Sequence, residues 1–473
     1  MIKKVSITFF LTLLTLSAGK VKLEDPREMD FSDDTPFIPQ EVEQETLSNG
    51  ITVFLAENHE LPLVDVFIAV RAGEVRVPAA EAGFAEILAY IIVEGGSNKI
   101  KTRAFRDSLE NLGATFRAEP GSKYTDFSLH ILSKHLPALL PLAVEAIRFP
   151  GLPQEQLEIN KKQYLSSYQG RNNDPYSVAS RIYWKLIYGR DSPAAREVTP
   201  SSLNKITEES LGDFHSANYR PSHVIVGVSG DFRKAEILEL LETCLGNWEE
   251  PSVNPDPELD MITETAEPGI YLVNWPGAVQ TNIWMGYLSF KRDDERYPNA
   301  LLFTEIYGAS RFSRMRLVVR EKHGLAYSPY GWVSGGLTVP GTFSTVVGTK
   351  SSTTLKALNL LNVIIEDLRT QGVTEEDLTI AKESWLSAFP AHYSQTTKVI
   401  KDRMLYYRYS YPVNFWDMLP EKIKPLTQAD MGGFASGFLE PSQLRILVVG
   451  DTSSFDGSIA EFGAFKVLDP SEY

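Results

Sequence analysis

One motif occurs twice in this chain, at a fixed distance. The stretch Ile206-Thr-Glu-Glu-Ser-Leu211, followed by Phe214, Pro221-Ser222 and Gly230-Asp231, returns as Leu426-Thr-Gln-Ala-Asp-Met431, followed by Phe434, Pro441-Ser442 and Gly450-Asp451. The offset is 220 residues throughout. Two prolines, two Gly-Asp strand ends and a threonine placed to cap a helix recur without a gap, which points to two tandem copies of one folding unit. A chain of 473 residues exceeds one ordinary core, and each copy is large enough to build its own. The Pro-rich acidic run Glu249-Glu-Pro-Ser-Val-Asn-Pro-Asp-Pro257 separates them. The reading is a first domain over 45–249, a linker over 250–267 and a second domain over 268–473.

Periodicity supplies the fold class. Strand patterns cover 51–56 and an alternating run through Val64, Val66, Ile68 and Val70. A helix over 83–94 places Phe84, Ile87, Leu88, Ile91 and Ile92 on one face. A strand over 124–132 precedes helical patterns over 136–147, 153–169, 176–187 and 202–215, then a strand over 223–228 and a helix over 233–245. The order restarts with strands over 270–274 and 282–290 and a helix over 298–307. The class is α+β: two tandem homologous domains, each a mixed or antiparallel sheet with helices on one face. Two such copies are expected to face one another across a cleft, with the 83–94 helix and the segment 320–327 turned inward.

Charge and cysteine usage narrow the function. A net charge of -15 argues against a nucleic-acid partner. The single cysteine, Cys244, rules out an intramolecular disulfide framework and a cysteine zinc knuckle, and its apolar helical surroundings read as core. Lys3-Lys4, an apolar run over 5–16 and Ser17-Ala-Gly19 read as a secretory signal over 1–19, too short for a stable membrane span. The expectation is export to a bacterial periplasm, with release to the medium as the alternative, and an extended arm over 20–44.

The polar stretch that stands out is Arg320-Glu-Lys-His-Gly-Leu-Ala-Tyr327. Phe312, Met315, Leu317, Val318 and Val319 can coat one helix face, and Gly324 is a stop signal, so Arg320 falls in a last helical turn. Tyr327 is then expected to open a strand. A guanidinium and a phenol so placed can converge on one carbonyl oxygen. The alternative is an arginine compensating the helix dipole beside a half-buried tyrosine. Gly335-Gly336 reads as a hairpin turn or as a strand edge open to an added peptide. The run Met404-Leu-Tyr-Tyr-Arg-Tyr409 reads as packing between domains. None of the seven histidines is paired at helical metal-ligand spacing.

From Leu47 to Asp451 the chain resembles the pitrilysin/insulinase family of zinc metallopeptidases, which includes mitochondrial processing peptidase and bacterial relatives. The resemblance rests on Leu47-Ser-Asn-Gly50, Ala82-Gly83, Arg171-Asn-Asn-Asp-Pro175, Tyr188-Gly189, Tyr219-Arg-Pro221, Gly230-Asp231 and the 320–327 stretch, in that order. Active members carry His-x-x-Glu-His on the first helix and a distal Glu on a later one. Here the first motif reads Glu86-Ile-Leu-Ala89-Tyr90, and the distal position falls near Leu165-Ser166-Ser167. The degenerate zinc positions are thus Glu86, Ala89, Tyr90 and Ser167, with no catalytic residue and no metal expected in this chain; Glu86 and Tyr90 could still hydrogen-bond across the old site. The resemblance implies that Arg320 and Tyr327 hold peptide substrate opposite a zinc carried by a homologous His-x-x-Glu-His partner chain. The resulting expectation is a non-catalytic, substrate-binding subunit of a heterodimeric peptidase. The alternatives are a stand-alone or homodimeric peptide-binding protein, a structural subunit like those of respiratory complexes, and a metallopeptidase with an unusual metal site.

Overall fold

A computed structural model of the chain describes residues 40–473; the signal over 1–19 and the arm up to residue 39 lie outside the described residues. The first half contributes β1 Glu43–Thr46, β2 Thr52–Glu57, β3 Leu63–Val70, β4 Thr115–Pro120, β5 Thr125–Leu132 and β6 Val224–Gly230, in the spatial order β1-β2-β6-β3-β5-β4. The second contributes β7 Gly269–Asn274, β8 Gln280–Leu288, the two-residue β9 Phe290–Lys291, β10 Tyr330–Val333, the two-residue β11 Gly335–Gly336, β12 Thr342–Lys350, β13 Arg445–Gly450 and β14 Phe465–Val467. Its main sheet runs β10-β12-β8-β13-β7-β14. The run β2-β6-β3-β5-β4 therefore matches β7-β13-β8-β12-β10, with β2 parallel to β6 and β7 parallel to β13. The outer strands differ: β1 joins β2 antiparallel, whereas β14 joins β7 parallel. The last residues of the expected arm, Glu43 and Gln44, belong to β1.

The first half also carries α1 Phe84–Gly95, α2 Thr102–Asn111, α3 Leu136–Arg148, α4 Gln154–Gly170, α5 Pro175–Tyr188, α6 Pro200–Lys205, α7 Glu208–Asn218 and α8 Lys234–Leu241. The second carries α9 Tyr297–Thr304, α10 Thr354–Gln371, α11 Glu375–His392, α12 Thr396–Arg408, α13 Leu419–Ile423 and α14 Gln428–Phe438. The single helix expected over 202–215 is two helices, α6 and α7. Ile206 is extended, and Thr207 starts α7 by a reciprocal capping box with Ser210. Its repeat, Thr427, starts α14 in the same way with Asp430.

Each half has its own core. Leu47, Ile87, Phe127 and Val226 belong to one drawn wholly from the first half, and Ile283, Phe303, Phe343 and Val448 to one drawn wholly from the second. Two further clusters join the halves by exchange. Helix α5 lays Val178, Ile182, Tyr183 and Leu186 on the second sheet against Tyr271, Trp284 and Leu447. Helix α12 lays Ile400 and Met404 on the first sheet against Phe54, Phe67 and Ile225. The run 404–409 does pack between domains, with the Tyr407 hydroxyl 2.8 Å from Thr52 Oγ1. Helices crossing onto the opposite sheets join the copies, and a cavity lined by Thr52 and Arg71 of the first half and Tyr407 and Arg408 of the second lies between them.

The segment 250–267 lacks helix and strand but is strapped down. Arg220 donates to Pro251 O (2.8 Å) and Val253 O (2.9 Å), and Glu258 accepts from Arg71 (2.5 Å), Arg76 (3.1 Å) and Lys123 (3.2 Å). Thr263 N–H donates to Tyr188 O at 2.8 Å.

The exchange predicts a sensitive position. A Cβ on Gly286 of β8 would sit 2.0 Å from Phe343 O and 2.3 Å from the hydroxyl of Tyr183 on α5. Gly286→Ala is expected to lower unfolding free energy by about 2 kcal/mol or more, measured by denaturant titration. An unchanged midpoint would show that α5 does not seat this closely.

Candidate functional site

Helix α1 begins at Gly83, whose φ of 101° is left-handed. The buried Glu74 carboxylate lies 3.5 Å from the Gly83 N–H and pairs with Arg196 at 2.8 Å, while the same arginine nitrogen donates to Glu74 O at 2.6 Å. Glu86 follows within the first turn. Burial, and then the charge of Glu74, push its carboxyl above the usual carboxylate range, and the Tyr164 hydroxyl on α4 reaches it. Ala89 is fully buried. Tyr90, one turn beyond Glu86, is half-buried, and burial followed by the charges of Glu86 and Glu94 raises its phenol.

Ser167 is exposed. The side chains that α4 presents to α1 are instead Asn160, 3.5 Å from Glu94, and Tyr164. Tyr164 was missed by counting along the chain. The helical spacing Leu157, Asn160, Tyr164, which puts all three on one face, could have found it. The second half repeats the arrangement: burial raises the Glu305 carboxyl, and Ser384, 220 residues after Tyr164, donates to it at 3.3 Å.

The residues at the first-helix position do not fit zinc. Ala89 has no donor atom, Tyr90 offers a phenol held in its protonated form, and the one carboxyl is engaged by Tyr164. Among the described residues no group of three or more His, Cys, Asp or Glu side chains is placed to hold a metal ion.

The second-half residues come together. The chain from Arg316 to Lys322 is a wide π-helical turn, closed by His323 N–H to Val318 O (3.2 Å) and Leu325 N–H to Val319 O (2.9 Å). Gly324, at φ 61°, reverses the backbone. Leu325 and Ala326 enter the core, and Thr349 Oγ1 anchors Leu325 O at 2.9 Å. Tyr327 emerges 80% exposed, in a bend three residues ahead of β10, so it does not open the strand and is not half-buried. The Arg320 guanidinium lies 4.6 Å from the centre of its ring, and Nε lies 3.4 Å from Glu321. An exposed phenol and a half-buried guanidinium are thus stacked on one turn.

The neighbouring edge is closed. Gly335–Gly336 pairs in parallel with Phe290–Lys291, within the connection from β10 to β12. Val333 on β10 has its N–H bonded to Thr304 Oγ1 at 2.9 Å, and the same hydroxyl donates to Val333 O at 3.2 Å. A peptide strand therefore finds neither Val333 nor the glycine pair free.

Residues 52–184 match the model of the insulinase family, peptidase family M16, and residues 205–384 match that of the peptidase M16 inactive domain. The chain belongs to peptidase family M16. It is 21% identical over 413 residues to the "non-peptidase homolog YmxG" of Helicobacter pylori, covering 86% of this chain and 93% of that protein. A Bacillus subtilis relative called an uncharacterized zinc protease is 21% identical over 72% of this chain and 82% of its own length. Among solved structures, a peptidase M16 inactive domain from Pseudomonas fluorescens superposes with a TM-score of 0.76 at 23% identity, over 91% of this chain and all of that one. The M16 fold of two α+β domains is thus established for this chain.

Glu86 gives a pH test. Its folded-state pKa is raised, so the stability it contributes is present while it is protonated and is lost as pH rises through that pKa. Relative to the parent, Glu86→Gln is expected to gain melting temperature between about pH 4 and about pH 7. A difference that stays constant across that range would mean the carboxyl is not buried as described.

Proposed function

We propose that this M16 chain is the non-catalytic member of a two-chain zinc peptidase, exported to the periplasm, and that it holds unfolded peptide substrate through Arg320 and Tyr327. The observation that carries the reading is a contrast between the two halves. The first-helix position is filled by Ala89 and by the contact of Glu86 with Tyr164, whereas Tyr327 is exposed and the half-buried Arg320 lies across its ring. A guanidinium stacked on a phenol ring, with Nε near Glu321, still has its terminal N–H groups to offer, and the phenol hydroxyl is a second donor, so the pair can bind a peptide carbonyl and the negative charge that develops on it. Stacking also restricts both side chains before substrate arrives. The partner is a homologous chain bearing His-x-x-Glu-His, whose zinc would activate the attacking water.

The sequence of the first residues, Lys3-Lys4 ahead of an apolar run, supports export. Among the described residues no helix is long and apolar enough to cross a membrane. The name of the Helicobacter relative, a non-peptidase homolog, agrees with a chain that does not itself cleave.

The test is reconstitution with a homologous chain bearing His-x-x-Glu-His, following cleavage of a fluorogenic peptide. Arg320→Ala is expected to lower kcat/KM about 100-fold, and Tyr327→Phe about tenfold, with the native mass of the pair unchanged. Unchanged turnover in Arg320→Ala would refute the clamp. A native mass showing no second chain would refute the subunit reading.

A further inference from the structure

A cluster of cations lies far along the chain from Arg320, on helix α5 and the turn preceding it. The motif Arg171-Asn-Asn-Asp-Pro175 builds its wall. Asp174 caps α5 through Ser177 N–H at 2.7 Å, Pro175 occupies the first turn, and Asn172 accepts from Arg181 at 2.5 Å. Arg171 lies over the Tyr168 ring at 3.7 Å and donates to Tyr168 O at 2.9 Å. Four cations therefore gather here: Arg171, Arg181, Lys185 and Arg190. Arg181 and Lys185 are only 10% and 8% exposed, and Glu197 is the one carboxylate that pairs with both.

Buried cations in this excess need further acceptors. The segment Pro470–Tyr473 supplies them. Lys185 Nζ donates to Tyr473 O at 2.8 Å and Arg181 Nε to the same oxygen at 3.2 Å. Arg181 Nη2 donates to Pro470 O at 3.0 Å and Arg171 Nη2 to Ser471 O at 3.4 Å. The Tyr473 ring sits beneath the Arg190 guanidinium at 4.1 Å and packs against the α5 cluster. Every polar contact given to the segment by these cations goes to main-chain oxygen. The one side chain read is the aromatic ring, which makes the site indifferent to the sequence between.

We propose that this cationic pocket is a docking site for extended peptides that carry an aromatic residue at the place Tyr473 takes, and that Pro470–Tyr473 occupies it in cis as a displaceable ligand. The site is separate from the Arg320–Tyr327 pair, and it rests on α5, the helix that joins the two halves. Release of the segment would strip acceptors from Lys185 and Arg181, so the pocket is stable only when filled. Tethering gives the internal segment a high effective concentration, which keeps the site closed to weak competitors.

The experiment uses a chain ending at Asp469 and a fluorescein-labelled Asp-Pro-Ser-Glu-Tyr peptide, read by anisotropy. The shortened chain is expected to bind the peptide at least about tenfold more tightly than the full chain does. Replacing the peptide's tyrosine by alanine, or introducing Lys185→Met, should abolish that binding. Comparing the peptide as free acid and as amide separates a carboxylate from a carbonyl as the group held by Lys185. If the shortened chain does not fold, Tyr473→Ala in the full chain takes its place, because it empties the ring seat while leaving the main-chain contacts. It too must bind the labelled peptide more tightly than the parent. Equal binding by parent and variant, or a folded shortened chain that ignores the peptide, overturns the proposal.

Discussion

The packing of α5 and α12 on each other's sheets holds the rest of the molecule in place. Each half buries one face of its sheet under its own helices, which leaves the opposite face, with Phe54, Phe67 and Ile225 in one half and Tyr271, Trp284 and Leu447 in the other, in need of cover. The repeat supplies that cover reciprocally, because the helix that does not fit its own core is the one that reaches across. An interface made of interdigitated aromatic and branched side chains is dense and has few alternative packings. It fixes the orientation of the halves far more firmly than the strapped segment 250–267 could.

On that base the two halves dispose their polar side chains differently. The first helix of the first half keeps its glycine start and its apolar face, but its polar positions have turned inward: Glu86 meets Tyr164, and Ala89 fills space. The buried carboxyl is tolerable because it is raised and hydrogen-bonded rather than left as a bare charge. The second half carries a carboxyl–hydroxyl contact of its own, between Glu305 and the exposed Ser384. At the Arg320 turn the tendency reverses. Leu325 and Ala326 take up the burial, and Tyr327 is left outside with a cation across its face.

The straps share one device, a cation surrounded by main-chain oxygens. Arg220 holds Pro251 and Val253, and Arg181 and Lys185 hold Pro470 and Tyr473. Because these bonds go to the backbone, they fix irregular segments without requiring regular structure in them. This is how the segment 250–267, which reads as linker by composition, comes to be ordered.

Several features were legible in the residues themselves. The 220-residue repeat, the capping threonines and the 83–94 periodicity are local, and the pairings they imply recur in the fold because hydrophobic spacing and cap chemistry act over a few residues. The absence of histidines on α1 and the seven-residue separation of Arg320 from Tyr327 were equally visible. The tertiary structure decided what spacing cannot encode. It split the helix at Ile206, chose Tyr164 rather than Ser167 as the neighbour of Glu86, exposed Tyr327, closed the edge at Val333 with Thr304 and joined the halves through α5 and α12. Each of these outcomes depends on which distant surface arrives at a given face. A chain with period and caps fixes its own elements, but only packing between elements far apart in sequence determines which side chains are buried together and which remain free to bind.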